Sequence, residues 1–344
     1  MIYSITIAVI LTVASLILKK SKVVSFLFFL FMWLMMGWNY YNGDYEAYKI
    51  RYEFNPAFSF NLINYEWGYN FIMSLFNAKD VSFQIFFVWI AFITLFILFL
   101  FVLKFSQYPA ITLSCFFWIY LPLDFVLLRN FIAYIIIFVG FYFMFLEKKK
   151  SRTIFFICSL FATTIHISSF FYFIFLLTPH HYKLNIKKVS LFIILFFFLY
   201  MGIRQIIIAS IGYDAIMRME NYESNMNMFI LYTAFQILNI IIIRNYTRSN
   251  SIIQKISPTI LYNINILMLF LVIFYFDMTI FVRIFKNISF INVLYIINYI
   301  PFHNKKFYNT LLLIFYLLFF YFTFIQPVKE DTIISLFKYN LIFN

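Results

Sequence analysis

The stretch Trp38-Asn39-Tyr40-Tyr41-Asn42-Gly43-Asp44-Tyr45-Glu46-Ala47-Tyr48-Lys49-Ile50-Arg51-Tyr52 sets two acids, two bases and several tyrosines at the end of a long apolar run. A carboxylate withdrawn from water needs a proton or a cation partner, so this cluster marks either the aqueous edge of a bilayer or a polar cavity. A third acid, Glu66, follows in Asn64-Tyr65-Glu66-Trp67-Gly68-Tyr69, and Arg129-Asn130 lies between two further apolar runs. His166 interrupts another run, within Thr163-Thr164-Ile165-His166-Ile167-Ser168-Ser169, and Arg283 and Lys286 sit between two late spans. Arginine presents a fork of donors that matches two phosphate oxygens. A carboxylate can take the proton of a hydroxyl, and tyrosine and tryptophan offer an apolar face with a polar handle, which suits a sugar ring. Each residue also has a plainer reading. Asp44 could pair with Lys49 or Arg51 in a solvated loop, Arg129 could be a snorkelling anchor, and His166 could be a satisfied core histidine.

The elements that must position these groups are membrane helices. Of the 344 residues, 65% are hydrophobic and only 11% charged, where a soluble domain carries roughly 25% charged residues; the mean hydropathy is +0.91. The net charge of +13 fits basic loops that orient helices better than a nucleic-acid surface, for which no motif is present. Apolar runs near the roughly 20 residues that a bilayer demands fall at 2–18, 23–38, 82–103, 109–127, 131–146, 153–177, 189–209, 228–243, 259–281, 288–301 and 307–325. The segment 67–76 is too short to span and is expected to lie along the interface. The expectation is an all-α polytopic integral membrane protein, a single domain over 1–344 with roughly 10–12 membrane helices, an outer-face loop at 39–80 and a second at 210–227. No basic residue precedes the first run, while Lys19, Lys20 and Lys22 follow it. That pattern suits a retained first helix with its N-terminus outside.

Charge bookkeeping refines this layout. With Lys19 to Lys22 in the cytoplasm, Lys104 and the turn 147–152 fall inside, and Asp44 and Arg129 fall outside. A single span over 153–177 would then place Lys183, Lys187, Lys188, Arg244, Arg248, Lys255, Lys305 and Lys306 outside, against the positive-inside trend. A bent hairpin with His166 at its tip returns them all to the cytoplasm. A re-entrant turn is tolerated where protein or a wet cavity covers its backbone, so His166 and the hydroxyls of Thr163, Thr164, Ser168 and Ser169 are expected to line a polar interior.

Several chemistries lack their residues. Only six glycines are present and none form a nucleotide-binding loop. No Cys/His spacing suits zinc, and neither a His-Glu-x-x-His helix nor a Gly-x-Ser-x-Gly elbow occurs. Cys115 and Cys158 lie inside apolar runs as small hydrophobes.

Gly43-Asp44-Tyr45-Glu46-Ala47-Tyr48, Glu66-Trp67-Gly68-Tyr69, Leu128-Arg129-Asn130-Phe131-Ile132-Ala133, Ile165-His166-Ile167-Ser168-Ser169 and Arg283, in this order, resemble the EpsG family of bacterial exopolysaccharide and O-antigen polymerases, related in role to Wzy. Asn130 stands where that pattern has Gln, and Asp44 lacks a neighbouring Thr. The resemblance implies a glycan polymerase of the bacterial inner membrane, multi-pass, with an outward-facing active site and neither metal nor cofactor. It would transfer a growing chain from its polyprenyl-diphosphate carrier onto the next lipid-linked oligosaccharide. A flippase and a chain-length regulator are implied as partners, besides the lipid bilayer. The implied catalytic residues are Asp44, Glu66, Arg129 and His166, and the implied substrate-binding residues are Tyr45, Tyr48, Trp67, Asn130 and Arg283. Asp44 or Glu66 would take the acceptor proton. On sequence, a flippase or transporter for the lipid-linked oligosaccharide, a ligase or other lipid-donor glycosyltransferase, and a non-catalytic export subunit stay open.

Overall fold

The computed structural model describes residues 1–54, 66–210, 226–246, 256–276, 282–300 and 306–343. Residues 55–65 and 211–225, within the two expected outer loops, lie outside the described residues. The described chain is all-α, with one isolated antiparallel bridge between Asn39 and Asn340. It is a polytopic membrane protein. Four described helical stretches are long and apolar enough to cross a bilayer, at Phe83–Phe105, Pro109–Val126, Leu128–Phe145 and Phe307–Val328, and six shorter apolar helices accompany them.

The N-terminal half builds the frame of the site. Helices α1 (Ile2–Ile17) and α2 (Lys22–Gly37) form an apolar hairpin. The Ser21 side chain caps α2 by accepting from the Val24 N–H at 3.2 Å, which satisfies one of the amides that a helix start leaves open. After the polar cluster come two short helices, α3 (Tyr45–Glu53) and α4 (Trp67–Asn77). The long span α5 (Phe83–Phe105) then crosses. The next span is broken into α6 (Pro109–Cys115), a π-helical turn over Phe116–Tyr120, and α7 (Leu121–Val126). Pro122 accounts for the break, since its ring cannot donate and clashes with the carbonyl four residues back. Helix α8 (Leu128–Phe145) follows at once, so Arg129 sits at a helix start beside the α7 break.

The interrupted run 153–177 is a hairpin. Helix α9 (Ser151–Ile165) ends at His166, whose extended backbone (φ −148°, ψ 120°) separates it from a 3-10 helix over Ile167–Leu177. The two ends meet at the hairpin foot, where the Arg152 Nη2 donates to the Thr178 carbonyl at 3.1 Å. Fifteen α-residues at 1.5 Å and eleven 3-10 residues at 2.0 Å both reach about 22 Å, so the arms match in length. The sequence suits the tighter helix: Ser169, Tyr172 and Phe175, spaced by three, are its buried face.

The later spans are α10 (Ile186–Ser210), α11 (Met226–Tyr246), α12 (Pro258–Val272), α13 (Val282–Tyr299) and α14 (Lys306–Phe320). Helix α13 is buried along nearly its whole described length. Arg283 and Lys286 are therefore not in a loop between spans: both lie in the first turns of α13. The apolar stretch that begins at Ile288 conceals this helix start, because α13 opens with a basic turn that burial has made internal. After α14 the chain continues through short π and 3-10 turns to a last helix, α15 (Ser335–Lys338). This tail clasps the polar cluster: the Tyr40 N–H donates to the Tyr339 carbonyl and Asn39 Nδ2 to that of Ser335.

The bundle has two unlike ends. At one, the Ala110 N–H donates to the Lys19 carbonyl, the Lys20 ammonium lies over the Tyr108 ring, and Phe105 packs on Phe145. The basic turns after α1, α5 and α8 are thereby gathered. At the other end, Gln84 of α5 donates to the Gly37 carbonyl, and the polar cluster, Glu66 and the hairpin tip assemble. Basic turns and polar cluster fall on opposite ends, as the charge bookkeeping requires.

Candidate active site

Helix α3 explains how the opening cluster is used. Asn42 Oδ1 accepts the Asp44 N–H at 3.0 Å, a local turn that starts the helix. Tyr45 and Tyr52 then point into the bundle: the Tyr45 ring lies 5.1 Å from Phe83, and the Tyr52 ring stacks 4.9 Å from Phe86. With that face buried, helical spacing turns Asp44, Ala47, Tyr48 and Arg51 (i, i+3, i+4, i+7) to the other side. These four line a cavity of about 280 Å³, closed by Leu127, Arg129 and Asn130 from the α7–α8 junction, His166 from the hairpin tip and Arg283 from α13.

Glu66 holds the cavity's cations together. One carboxylate oxygen accepts from Arg51 Nη1 at 3.1 Å and also from Arg129 Nη1. The other accepts from His166 Nδ1 at 3.0 Å. His166 Nε2 in turn lies 3.0 Å from Arg283 Nη1. A guanidinium only donates, so Nε2 is the acceptor and the imidazole proton is on Nδ1, directed at Glu66. His166 thus couples the Glu66 carboxylate to Arg283 as a neutral ring. Arg51 also donates to Asn70 Oδ1 from Nε and Nη2, at 3.2 and 2.9 Å. Arg129 lies over the Tyr48 ring and Arg51 over that of Tyr69, at 5.4 and 5.5 Å, within cation–π range.

Glu66 reaches this position because α4 and α9 touch. A Cβ on Gly68 would stand 2.2 Å from Thr164 Oγ1 and 3.0 Å from the Thr164 carbonyl, so only glycine permits the approach. Thr164 is used here as a packing surface. Its hydroxyl donates to the Phe161 carbonyl and that of Thr163 to the Ser159 carbonyl, while the buried Ser168 and Ser169 hydroxyls have no partner among the described residues. Of the hairpin-tip residues expected to line a polar interior, His166 lines this cavity.

The two carboxyls are shifted in opposite directions. Burial would raise the Glu66 carboxyl, but its hydrogen bond to His166 and the charge of Arg129 outweigh this and hold it at about 2. Asp44 goes the other way: burial raises it, against the pull of Arg283 and Arg129, and Asp331 adds to the rise. Asp331 belongs to the tail and packs against Gly43, where an added Cβ would lie 3.2 Å from the Asp331 Cβ. Among the described residues the Asp44 side chain forms no ion pair with Lys49 or Arg51; Arg51 belongs to Glu66.

The expected site residues therefore separate. Asp44, Tyr48, Arg129, Asn130, His166 and Arg283 share the cavity, and Glu66 ties its cations from behind. Tyr45 donates to Gln84 Oε1 at 2.8 Å, and Trp67 opens α4; neither lines the cavity. Arg51 is a cavity residue and not the loop partner of Asp44; its seven-residue spacing from Asp44 on one helix is the signal that finds it. The second omission is Asp124, fully buried in α7 and paired with the buried Lys286 of α13. A lone acid in one span and a lone lysine in another are a complementary pair that the sequence contains.

The EpsG family model matches residues 22–341, nearly the whole chain and every cavity residue. The chain belongs to the EpsG family. EpsG family members are Wzy-like polysaccharide polymerases, and the protein is accordingly a multi-pass membrane protein of polysaccharide biosynthesis. No curated protein and no solved structure matches the chain. The matched stretch contains the cavity, in which three arginines stand beside the Asp44 carboxyl.

Proposed function

We propose that this EpsG protein polymerises oligosaccharide repeat units carried on a polyprenyl diphosphate, at the outer face of the bacterial cytoplasmic membrane, and that the Asp44–Arg283 cavity is the reaction site. One observation carries the reading: Arg51, Arg129 and Arg283 converge on a cavity that also holds a carboxyl free of ion pairs among the described residues. Arg129 and Arg283 bind the diphosphate and stabilise the charge that grows as the glycosidic bond breaks. The buried Arg129 Nε–H, which has no partner among the described residues, is a ready donor. Asp44 takes the proton of the acceptor hydroxyl, whose oxygen bonds to the anomeric carbon while the diphosphate oxygen leaves with the bonding pair. The raised proton affinity of Asp44 suits a base, whereas Glu66, saturated by three donors, serves as the anchor. Tyr48 and Asn130, whose buried Oδ1 is unmatched among the described residues, bound the sugar. Small-molecule pockets range over ~300–1,000 Å³, so a cavity of about 280 Å³ holds the reacting linkage while the glycan and the lipid extend from it. Arginines supply the positive charge, and the reaction needs no metal.

Arg129→Ala tests the reading. The expected result is single repeat units in place of polymer, with the protein still in the membrane, and Arg129→Lys restores activity only in part because it lacks the fork. Polymer of normal length in Arg129→Ala removes the cavity from the reaction. A flippase would instead leave units trapped inside the cell. Sidedness is tested separately: a single cysteine at position 187, with Cys115 and Cys158 replaced, should resist a membrane-impermeant thiol reagent in intact cells.

A further inference from the structure

A second polar pocket lies at the opposite end of the hairpin, at its foot. Its volume is about 470 Å³, and Lys150, Arg152, His180, His181 and Tyr182 line it. Here α9 begins under unusual conditions. Its N-cap, Lys150, supplies no capping oxygen, and its first turn contains no acid. The amide ends of a helix carry partial positive charge and favour an anion, yet cations crowd this one. Lys150 also has a left-handed backbone (φ 65°), as does Glu147 (φ 50°), a conformation that costs energy outside glycine and persists where a site demands it. The His180 and His181 rings are 6.3 Å apart. His180 is half-buried, and its Nε2 has no partner among the described residues; nor does the hydroxyl of the fully buried Thr178, two residues before it. Orientation of basic loops explains lysines at this end of the bundle. It does not explain a concave site that adds two histidines and a bare helix start.

We propose that this pocket binds a phosphate, either the headgroup of an anionic phospholipid or a free phosphate ion. Basic pockets between helices on the cytoplasmic side of membrane proteins suit such headgroups, and an anion here relieves the repulsion among Lys150, Arg152 and the start of α9. Arg152 already donates to the Thr178 carbonyl, so the bound anion would brace both feet of the hairpin whose tip carries His166. Burial and the Arg152 charge lower the His180 proton affinity, against Glu147, and His181 adds to the lowering. A phosphate between them opposes that, so binding should tighten as pH falls through the imidazole range. The site stands independently of the reaction proposed above.

The test uses the full chain in detergent, probed with phosphatidylglycerol, phosphatidylcholine and inorganic phosphate, with retained lipid read by native mass spectrometry and phosphate by equilibrium dialysis. Two variants are compared: K150Q/H180Q, within the pocket, and K148Q/K149Q, equal or greater in charge removed but outside its lining. The expected result is retention of phosphatidylglycerol over phosphatidylcholine, reduced about tenfold by K150Q/H180Q and little by K148Q/K149Q. Phosphate binding with the same variant dependence, without selective lipid retention, assigns the site to the free ion. Equal losses in both variants would reduce the pocket to general surface charge and overturn the proposal, as would no binding of either probe to the wild-type protein.

Discussion

Among the described residues, two groups of charges are withdrawn from water, and they are built differently. At the cavity, one acid is shared among many: Glu66 takes Arg51, Arg129 and His166, and Arg283 is joined through the imidazole. Below it, Asp124 and Lys286 form a pair 0% and 2% exposed in their side chains, between α7 and α13. The cavity group sets three arginines beside Glu66 and Asp44, and Arg129 Nε has no partner among the described residues. The buried pair is electrically closed. It joins the helix that leads into Arg129 to the helix that carries Arg283, and so fixes the spacing of the two arginines. An intramembrane ion pair invites a functional reading; one group opens onto a cavity, and the other is a one-to-one pair closed off from it.

The sharpest break between the two is at Asp44. Asp44→Asn removes the proposed base but no ion pair, and it should lower polymerisation by about 10²–10⁴-fold without loss of folded protein. The pH profile tests the same assignment. A base must be ionised, so activity is present above the raised pKa of Asp44 and is lost as pH falls through it. Asp331→Asn removes one cause of the rise and should move the acid limb to lower pH. Glu66, held at about 2, stays ionised throughout that window. An acid limb unmoved in Asp331→Asn, in a protein of normal activity at neutral pH, would separate Asp44 from the titration.

At the buried pair the expected signature is one of stability. Removing a single partner, as in Asp124→Ala or Lys286→Ala, leaves an uncompensated charge and should cost about 3–5 kcal/mol, read as lost thermal stability in detergent and lower yield. The double variant Asp124→Leu with Lys286→Met should recover most of it, because an apolar pair of similar volume avoids the desolvation cost. Polymer of altered length in a stable double variant would show that the pair also tunes the site.

Gly68 joins the two regimes, since it sets the contact that brings Glu66 to the cations. Gly68→Ala forces a Cβ toward Thr164 Oγ1 and should cost about 1–3 kcal/mol as overpacking, with a loss of activity larger than the loss of stability. Thr164→Ala removes the nearest contact atom and should restore part of both. A fully active, stable Gly68→Ala protein would mean that Glu66 does not depend on this contact.

Much of the membrane layout was legible because it rests on local properties. Span positions follow from apolar length, and the hairpin follows from the sidedness of Lys183, Lys187 and Lys188. The site residues were legible as types, since a polar residue in an apolar chain is conspicuous. What the sequence could not give was direction. Asp44 and Glu66 looked equivalent, and only the three donors gathered on Glu66 made one the anchor and the other the base candidate. Arg283 and Lys286 looked like a loop because burial of a basic helix start depends on partners more than a hundred residues away in sequence, His166 and Asp124. The tyrosines show the same limit on a smaller scale: helical phase decides which rings face the cavity, and the phase of α3 is set by its packing on α5.

That phase gives the finest comparison. Tyr45 and Tyr48 are three residues apart on α3, but one is turned to the bundle and the other to the cavity. Tyr45→Phe removes a hydrogen bond to Gln84 Oε1 and should cost about 1 kcal/mol, seen as a small drop in melting temperature with polymer unchanged. Tyr48→Ala removes the ring beneath Arg129 and one wall of the cavity, and should weaken substrate use more than it weakens the fold. A rise in the substrate concentration for half-maximal activity in Tyr48→Ala, without one in Tyr45→Phe, fixes the direction of α3 in the working enzyme. The reverse result would place the sugar on the other face of that helix and move the proposed base away from the substrate.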